Sequence, residues 1–384
     1  QRFFPIGNNV NEAYSFAFFK CSDALDAYTE RHDEAVELLK TLAIGDLETK
    51  GEYRESVHDV LFDGFGASGL DAEELAVLPD YFVCTDAGTL DAAETAQMVE
   101  LLAAGLPIKV LVRTDDVLEP SKVAEGHVAL GLRARQLVNT AIGLTDVFVF
   151  QSGASQLFRM RESLLRGLSY DGPALFSIFS GATRHNSDVP PYLVAAAAME
   201  SRVFPAIVYD PSAGSDWATR LAVSENPSLD DDWPMHKFLF EDESLQAETE
   251  DLAFTLADFM SMDDRFSGHF AIVPAEDCSD DLIPVPQALE APGTGMPSEV
   301  PVVTLVNSDG RIQRAIVDDR LLRETRRCLT MWHSLQELGG IHNSHAERLL
   351  AKELKSRSTE TAAKAQTVEV PKAEATTAPE PVAV

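Results

Sequence analysis

Asp86, Asp115, Asp116 and Glu119 are the residues whose types and spacing most invite chemistry. They fall in one stretch, YFVCTDAGTLDAAETAQMVELLAAGLPIKVLVRTDDVLEP, from Tyr81 to Pro120. Two short apolar runs in it end in acidic residues: Thr85-Asp86 after the first, and Thr114-Asp115-Asp116 after the second, with Glu119 just beyond. Parallel neighbouring strands with these endings project their carboxylates into one crevice. Hard oxygen ligands gathered there suit Mg²⁺, which takes one or two carboxylates and fills its shell with phosphate oxygens and water. The same spacing also fits a plainer role. Asp86, Asp91 and Asp116 stand where a side-chain oxygen closes a turn or opens a helix. Spacing alone leaves both readings open.

Other residues of chemical interest carry less. His185, between Arg184 and Asn186, follows an apolar run ending at Phe179 and is the candidate catalytic side chain, although a loop histidine is more often simply solvated. The stretch Asp63-Gly64-Phe65-Gly66-Ala67-Ser68-Gly69 lacks the lysine and preceding strand of a phosphate loop and reads as a plain loop, with Asp71 capping a short helix after it. His342 and His345 have one-helix-face spacing but no third ligand nearby, so a helix break at Gly339-Gly340 with Asn343 or Ser344 as N-cap fits better. Ser152-Gly153-Ala154-Ser155 does not have the elbow pattern of a hydrolase nucleophile. Cys21, Cys84, Cys278 and Cys328 are scattered, with no CxxC or CxxH pair, so no zinc knuckle or cysteine-ligated iron–sulfur cluster is encoded.

The formal net charge of -31 repels nucleic-acid phosphates and anionic lipid, which argues against either as a partner. A basic redox protein, or a basic patch on a partner subunit, is compatible with it. No run approaches the ~20 apolar residues of a membrane span, and no charged leader precedes an apolar stretch, which points to a cytoplasmic protein. The sequence opens at Gln1 in what reads as mid-sequence, as in a fragment of a longer polypeptide.

The elements that must position the carboxylates follow from apolar periodicity. Residues 9–42 repeat apolar positions at helical spacing, with Gly45 as the stop, and 1–79 reads as a helical N-terminal segment. From Asp80, short apolar runs at Tyr81–Cys84, Ile108–Val112, Val147–Phe150, Ala174–Phe179 and Ala206–Tyr209 alternate with helices near 90–104, 127–142, 153–167 and 189–201. That alternation predicts an α/β domain over 80–215, a mainly parallel sheet with helices on both faces, whose ligands bind at the carboxyl ends of the strands. Residues 216–300 read as an irregular acidic segment pinned by Trp217 and Trp233, with a helix near 243–260 and a surface loop over 274–300. Over 301–356, Asn307-Ser308-Asp309-Gly310 between two apolar runs predicts a hairpin, followed by helices near 319–338 and 343–356. Residues 357–384 offer few large apolar groups, which predicts a disordered tail.

Four motifs in order resemble the thiamine-diphosphate domain of pyruvate (2-oxoacid):ferredoxin/flavodoxin oxidoreductases. Asp86 matches the Asp of that family's Gly-Asp-Gly turn, Asp91 its helix-opening Asp, and Gly105-Leu106-Pro107-Ile108-Lys109-Val110-Leu111-Val112 its next strand. Phe148–Ser152, Tyr170-Asp171-Gly172-Pro173-Ala174-Leu175 and Phe204-Pro205-Ala206-Ile207-Val208-Tyr209-Asp210-Pro211 are similar to three later segments. The likeness covers roughly residues 80–215.

It implies a thiamine-diphosphate-binding type of fold, with Asp86, Gly88, Asp91 and Glu119 toward the cofactor. Mg²⁺ would then be held by Asp86 and Glu119, with Asp115 or Asp116 in reserve. It also implies a component of a 2-oxoacid:ferredoxin oxidoreductase-like enzyme, working with other domains or subunits and with ferredoxin or an iron–sulfur protein. The departures favour an alternative, a non-catalytic scaffold or subunit-docking domain. Thr85 and Ala87 replace the two glycines, Glu119-Pro120 stands in the register of the Asn-Thr-Gly-Gly loop, and Ser180-Gly181-Ala182 stands where the family has a cluster cysteine. A Cβ at either glycine position crowds the approach of a diphosphate, and proline removes a donor amide.

Overall fold

A computed structural model describes residues 2–4, 15–65, 80–120, 128–130, 132–182, 189–241, 245–290, 299–307 and 309–366. Strands β1 (Arg2–Phe4) and β2 (Ser15–Phe18) precede helices α1 (Cys21–Lys50) and α2 (Glu55–Asp63). The central run is β3 (Tyr81–Asp86), α3 (Ala92–Ala103), β4 (Ile108–Thr114), β5 (Leu118–Pro120), β6 (Val128–Leu130), α4 (Leu132–Gly143), β7 (Phe148–Gly153), α5 (Arg161–Leu168), β8 (Ala174–Phe179), α6 (Pro191–Glu200) and β9 (Ile207–Tyr209). After α7 (Trp217–Arg220) and β10 (Leu221–Ala222) come the hairpin β11 (Met235–Glu241) and β12 (Ala247–Ala253), then α8 (Leu256–Ser261). The chain continues through β13 (Phe270–Val273), β14 (Leu282–Pro284), α9 (Val285–Glu290), β15 (Val300–Val306), β16 (Ile312–Val317), α10 (Asp319–Leu338) and α11 (Ser344–Gln366).

Eight strands make the main sheet, in the order β1-β2-β3-β4-β8-β7-β9-β10. The inner five are parallel, while β1, β9 and β10 join antiparallel at the edges. The expected mainly parallel α/β sheet is therefore present, with Ala206–Tyr209 contributing a strand that runs against its neighbour. Alternation of side chains supplies two apolar faces. Val83, Val110, Val149 and Leu175 pack on one face with Tyr28 of α1, Met98 of α3 and Val138 of α4. Phe148, Phe150 and Phe176 pack on the other with Leu164 of α5 and Met199 of α6. A second sheet, β13-β16-β15-β14, shares its core with the carboxyl end of the first, since Val303, Val317 and Leu321 cluster with Phe179 and Val194.

Several expectations are corrected. The helix expected over 9–42 begins at Cys21, because Ser15–Phe18 is drawn into the sheet beside β3. It runs through Gly45 and stops at Gly51, whose left-handed φ of 69° lets its amide reach the Glu48 carbonyl, while the next amide, Glu52, reaches that of Leu47. The helix expected near 243–260 is largely strand: all seven residues of β12 pair with β11, and the helix starts only where the Thr255/Asp258 capping box begins it. The stretch expected as a loop over 274–300 holds β14 and α9. The last helix extends to Gln366, so residues 357–366 are helical rather than part of a tail, and 367–384 lie outside the described residues. Gly66–Gly69, Asp71 and His185 also lie outside them.

Asn343 caps α11 by accepting from the Ala346 amide at 2.9 Å, and His342 bonds the Asp230 carbonyl at 2.9 Å. Trp233 is buried, and Trp217 lies against Tyr209 with ring centroids 5.5 Å apart and planes tilted by 48°. Among the described residues no helix is long and apolar enough to cross a membrane.

Candidate functional site

Strands β3 and β4 pair in register from Tyr81 opposite Ile108 to Asp86 opposite Arg113. Asp86 thus ends one strand, and Asp115 and Asp116 directly follow the other, all at the carboxyl edge of the sheet. The sequence placed these three together correctly. Ser180 joins them because it follows β8, which borders β4, and its amide bonds the Thr114 carbonyl at 2.9 Å.

Two arginines organise the edge. Arg113 Nη2 donates to Asp86 Oδ2 at 2.7 Å and lies 3.1 Å from Asp115 Oδ2. The hydrogen bond to Asp86, then the charges of Asp115 and Asp86, hold this guanidinium above its ordinary pKa. Asp115 Oδ1 accepts from Ser180 Oγ at 2.6 Å. Asp116 is bound differently: Arg265 forks onto it with Nη1 to Oδ2 at 2.6 Å and Nη2 to Oδ1 at 3.0 Å, while its Nε reaches Asp263 at 3.0 Å. Burial opposes the charge on Arg265, but the bonds to Asp263 and Asp116 outweigh it and raise its pKa. The Asp116 Oδ1 atom also accepts from the Leu118 amide, closing the turn after β4.

The turn after β3 is equally self-contained. The Ala87 amide bonds the Arg113 carbonyl at 2.8 Å, the Gly88 amide bonds Asp86 Oδ1 at 2.9 Å, and the Thr89 amide bonds the Asp86 carbonyl at 3.0 Å. A Cβ on Gly88 would sit 3.2 Å from Asp86 Oδ1. Asp91 is the N-cap of α3, accepting from the Glu94 amide at 2.8 Å. The backbone of Glu119 lies in β5 opposite Ala129.

A metal–diphosphate group needs carboxylates with lone pairs to spare and amides aimed outward. Here Asp86, Asp115 and Asp116 face guanidinium groups, and three successive amides are taken by the chain's own acceptors. These residues as arranged do not fit the group. Among the described residues, no set of three His, Cys, Asp or Glu side chains is disposed to hold a metal ion.

Beside the network, a recess of about 430 Å³ opens on the second face, lined by Phe19, Cys84, Thr89, Leu111 and the Asp86–Arg113 pair. Burial pushes the Cys84 thiol above its ordinary range, so it is a weak nucleophile. Lys109, from the strand motif, works at the opposite end of β4. Its Nζ donates to the Tyr170 carbonyl and, at 2.8 Å, to that of Gly172. Burial lowers it to about 8, against the pull of Asp80 and Asp171.

Arg113 and Arg265 are the residues that reading the sequence passed over. Arg113 had a local signal, a cation alternating onto the same strand face as its in-register neighbour Asp86. Arg265 had none, being 149 positions from Asp116. No known protein-family model matches the chain, and no curated protein matches it.

Proposed function

We propose that the chain is a non-catalytic, subunit-docking component of a 2-oxoacid:ferredoxin oxidoreductase-like complex, of the thiamine-diphosphate-domain type, with its cofactor edge closed. The ordered motifs over 80–215 support the family. The closed edge is supported by one observation above all: the Arg113 guanidinium stands between Asp86 and Asp115, two of the carboxylates that the resemblance implies for a divalent cation. In this reading the sheet is retained as a platform for other subunits, with ferredoxin or an iron–sulfur protein as the redox partner, in the cytoplasm. The strongly acidic surface suits a basic partner face.

Each charge-assisted contact missing from a diphosphate site costs about 1.5–3 kcal/mol, and two or three such losses weaken binding by several orders of magnitude. Titration calorimetry of thiamine diphosphate with Mg²⁺ into the purified chain tests the reading. No heat at millimolar cofactor is the expected result. Micromolar binding that Asp86→Ala abolishes would restore the catalytic reading, with the chain supplying a working cofactor site.

A further inference from the structure

Away from the sheet edge, the β11–β12 hairpin and β15 leave a groove between them. It has two lobes of about 160 and 300 Å³, which share Leu252, Ala253, Asp258 and Thr304 as walls. Together they reach the size of a small-molecule site. The groove exists because its flanking strands do not pair with each other. β12 pairs with β11, while β15 pairs with β16 along one edge and with β14 only over Val300, Pro301 and Val302 on the other. Arg314 fixes the spacing of the walls: its Nη2 is bidentate to Glu250 at 3.1 and 3.0 Å, and its Nη1 donates to Thr304 Oγ1.

The centre of this largely apolar groove carries a carboxyl group. Asp258 accepts the amide and the hydroxyl of Thr255, both at 2.7 Å and both on Oδ2. Its own main-chain amide also lies against the carboxyl, and among the described residues no cation pairs with it. Burial, opposed by the Thr255 bonds, pushes this carboxyl up to about 6, so it is ionised at neutral pH in poor surroundings for an anion. The charged groups around the groove are otherwise engaged or peripheral. Arg314 is committed to Glu250, His236 Nε2 pairs with Glu200 at 2.8 Å, and Lys237 and Asp251 are exposed at the rim.

We propose that this groove binds an aliphatic primary amine, its alkyl chain lying along Leu252 and Leu305 and its ammonium donating to Oδ1 of Asp258. A slim alkyl chain fits a narrow groove between two strands, and an ammonium supplies the cation that the carboxylate lacks. A carboxylate ligand would meet Asp258 as a like charge. The competing account makes Asp258 only the capping-box residue of α8, and that account predicts no preference for amines.

The test is titration calorimetry of the full chain with n-octylamine, n-octanol and octanoate at neutral pH. Octylamine should bind saturably at one site, about ten-fold or more tighter than octanol, and octanoate not at all. Asp258→Asn keeps an amide oxygen for the Thr255 cap, so it should lower octylamine affinity about ten-fold while the melting temperature holds. Ala253→Trp, which fills both lobes, should abolish the specific site. The chain's charge of -31 attracts any cation weakly, and that background survives both substitutions. Equal octylamine affinity in the parent, Asp258→Asn and Ala253→Trp would overturn the proposal, as would octanol binding as tightly as octylamine. If Asp258→Asn fails to fold, the octanol comparison and Ala253→Trp still decide.

Discussion

Arg113 and Arg202 show two ways of housing a guanidinium. Arg113 has a largely exposed side chain and is held by the carboxylates of Asp86 and Asp115 at the sheet edge. Arg202 is fully buried, with a left-handed φ of 63°, and its hydrogen bonds go to main-chain carbonyls. It donates to Asp232 at 3.0 Å, Pro227 at 2.8 Å, Ser228 at 2.8 Å and Asp231 at 3.2 Å, and lies 3.9 Å over the Trp332 ring. Trp332 and Gln336 of α10 bond Asp231 and Leu229 of the same loop. Burial lowers Arg202 to about 10, partly offset by Asp231 and its neighbours. The exposed pairs are screened by water and salt and contribute little to stability. The buried hub folds a loop onto a helix. Charge at the Arg113 edge is thus held apart from what stabilises the fold, and charge at the hub is part of it.

The largest effect expected is from Arg202→Met, which leaves buried carbonyls without donors and should cost about 4 kcal/mol or more by urea denaturation. Arg202→Lys should recover little of it, because an ammonium cannot reproduce the fork or the stacking. A small loss in either variant would erase the contrast between the two regions. Gly181→Ala should come next. Gly181 has φ of 72°, and a Cβ there would lie 1.9 Å from the Pro191 carbonyl oxygen, so a loss of about 3 kcal/mol is expected in the same assay.

Lys109 sharpens the comparison through pH. Its pKa is about 8 in the folded chain and 10.5 as the ordinary value, so the unfolded state holds a proton that the folded state has released. Its contribution to stability therefore rises between those pH values. Cys21 works oppositely: burial raises its thiol from 9.0 to about 11, so its contribution falls across that interval. Melting temperatures of Lys109→Met and Cys21→Ala against the parent from pH 7 to 11 should diverge in these opposite senses, and parallel profiles would contradict the assignment. The smallest effect belongs to Arg113→Gln, which should shift the melting temperature by no more than about 3 °C and by less in high salt.

Much of this architecture was legible because its physics is local. The apolar runs at Tyr81–Cys84 and Ile108–Val112 are buried on at least one face, and strands of that kind advertise themselves in sequence. Once they are parallel and in register, Asp86, Asp115 and Asp116 must share an edge. What was not legible came from distant partners. Residues 247–253 carry helix-favouring Glu and Ala, yet pairing with β11 makes them strand. Gly45 resembles a helix stop but remains helical, whereas Gly51 has the left-handed backbone that ends the helix. The fork of Arg265 on Asp116 joins segments that only the packed second sheet brings together. The sequence therefore located the acidic edge without revealing that cations already occupy it.

That occupancy can be measured most directly with Mn²⁺, a paramagnetic stand-in for Mg²⁺, by water-proton relaxation enhancement. In the parent chain the account predicts only weak, salt-sensitive association that Asp86→Asn leaves unchanged, because Arg113 already neutralises the carboxylates. A single micromolar Mn²⁺ site in the parent, lost in Asp86→Asn, would contradict it.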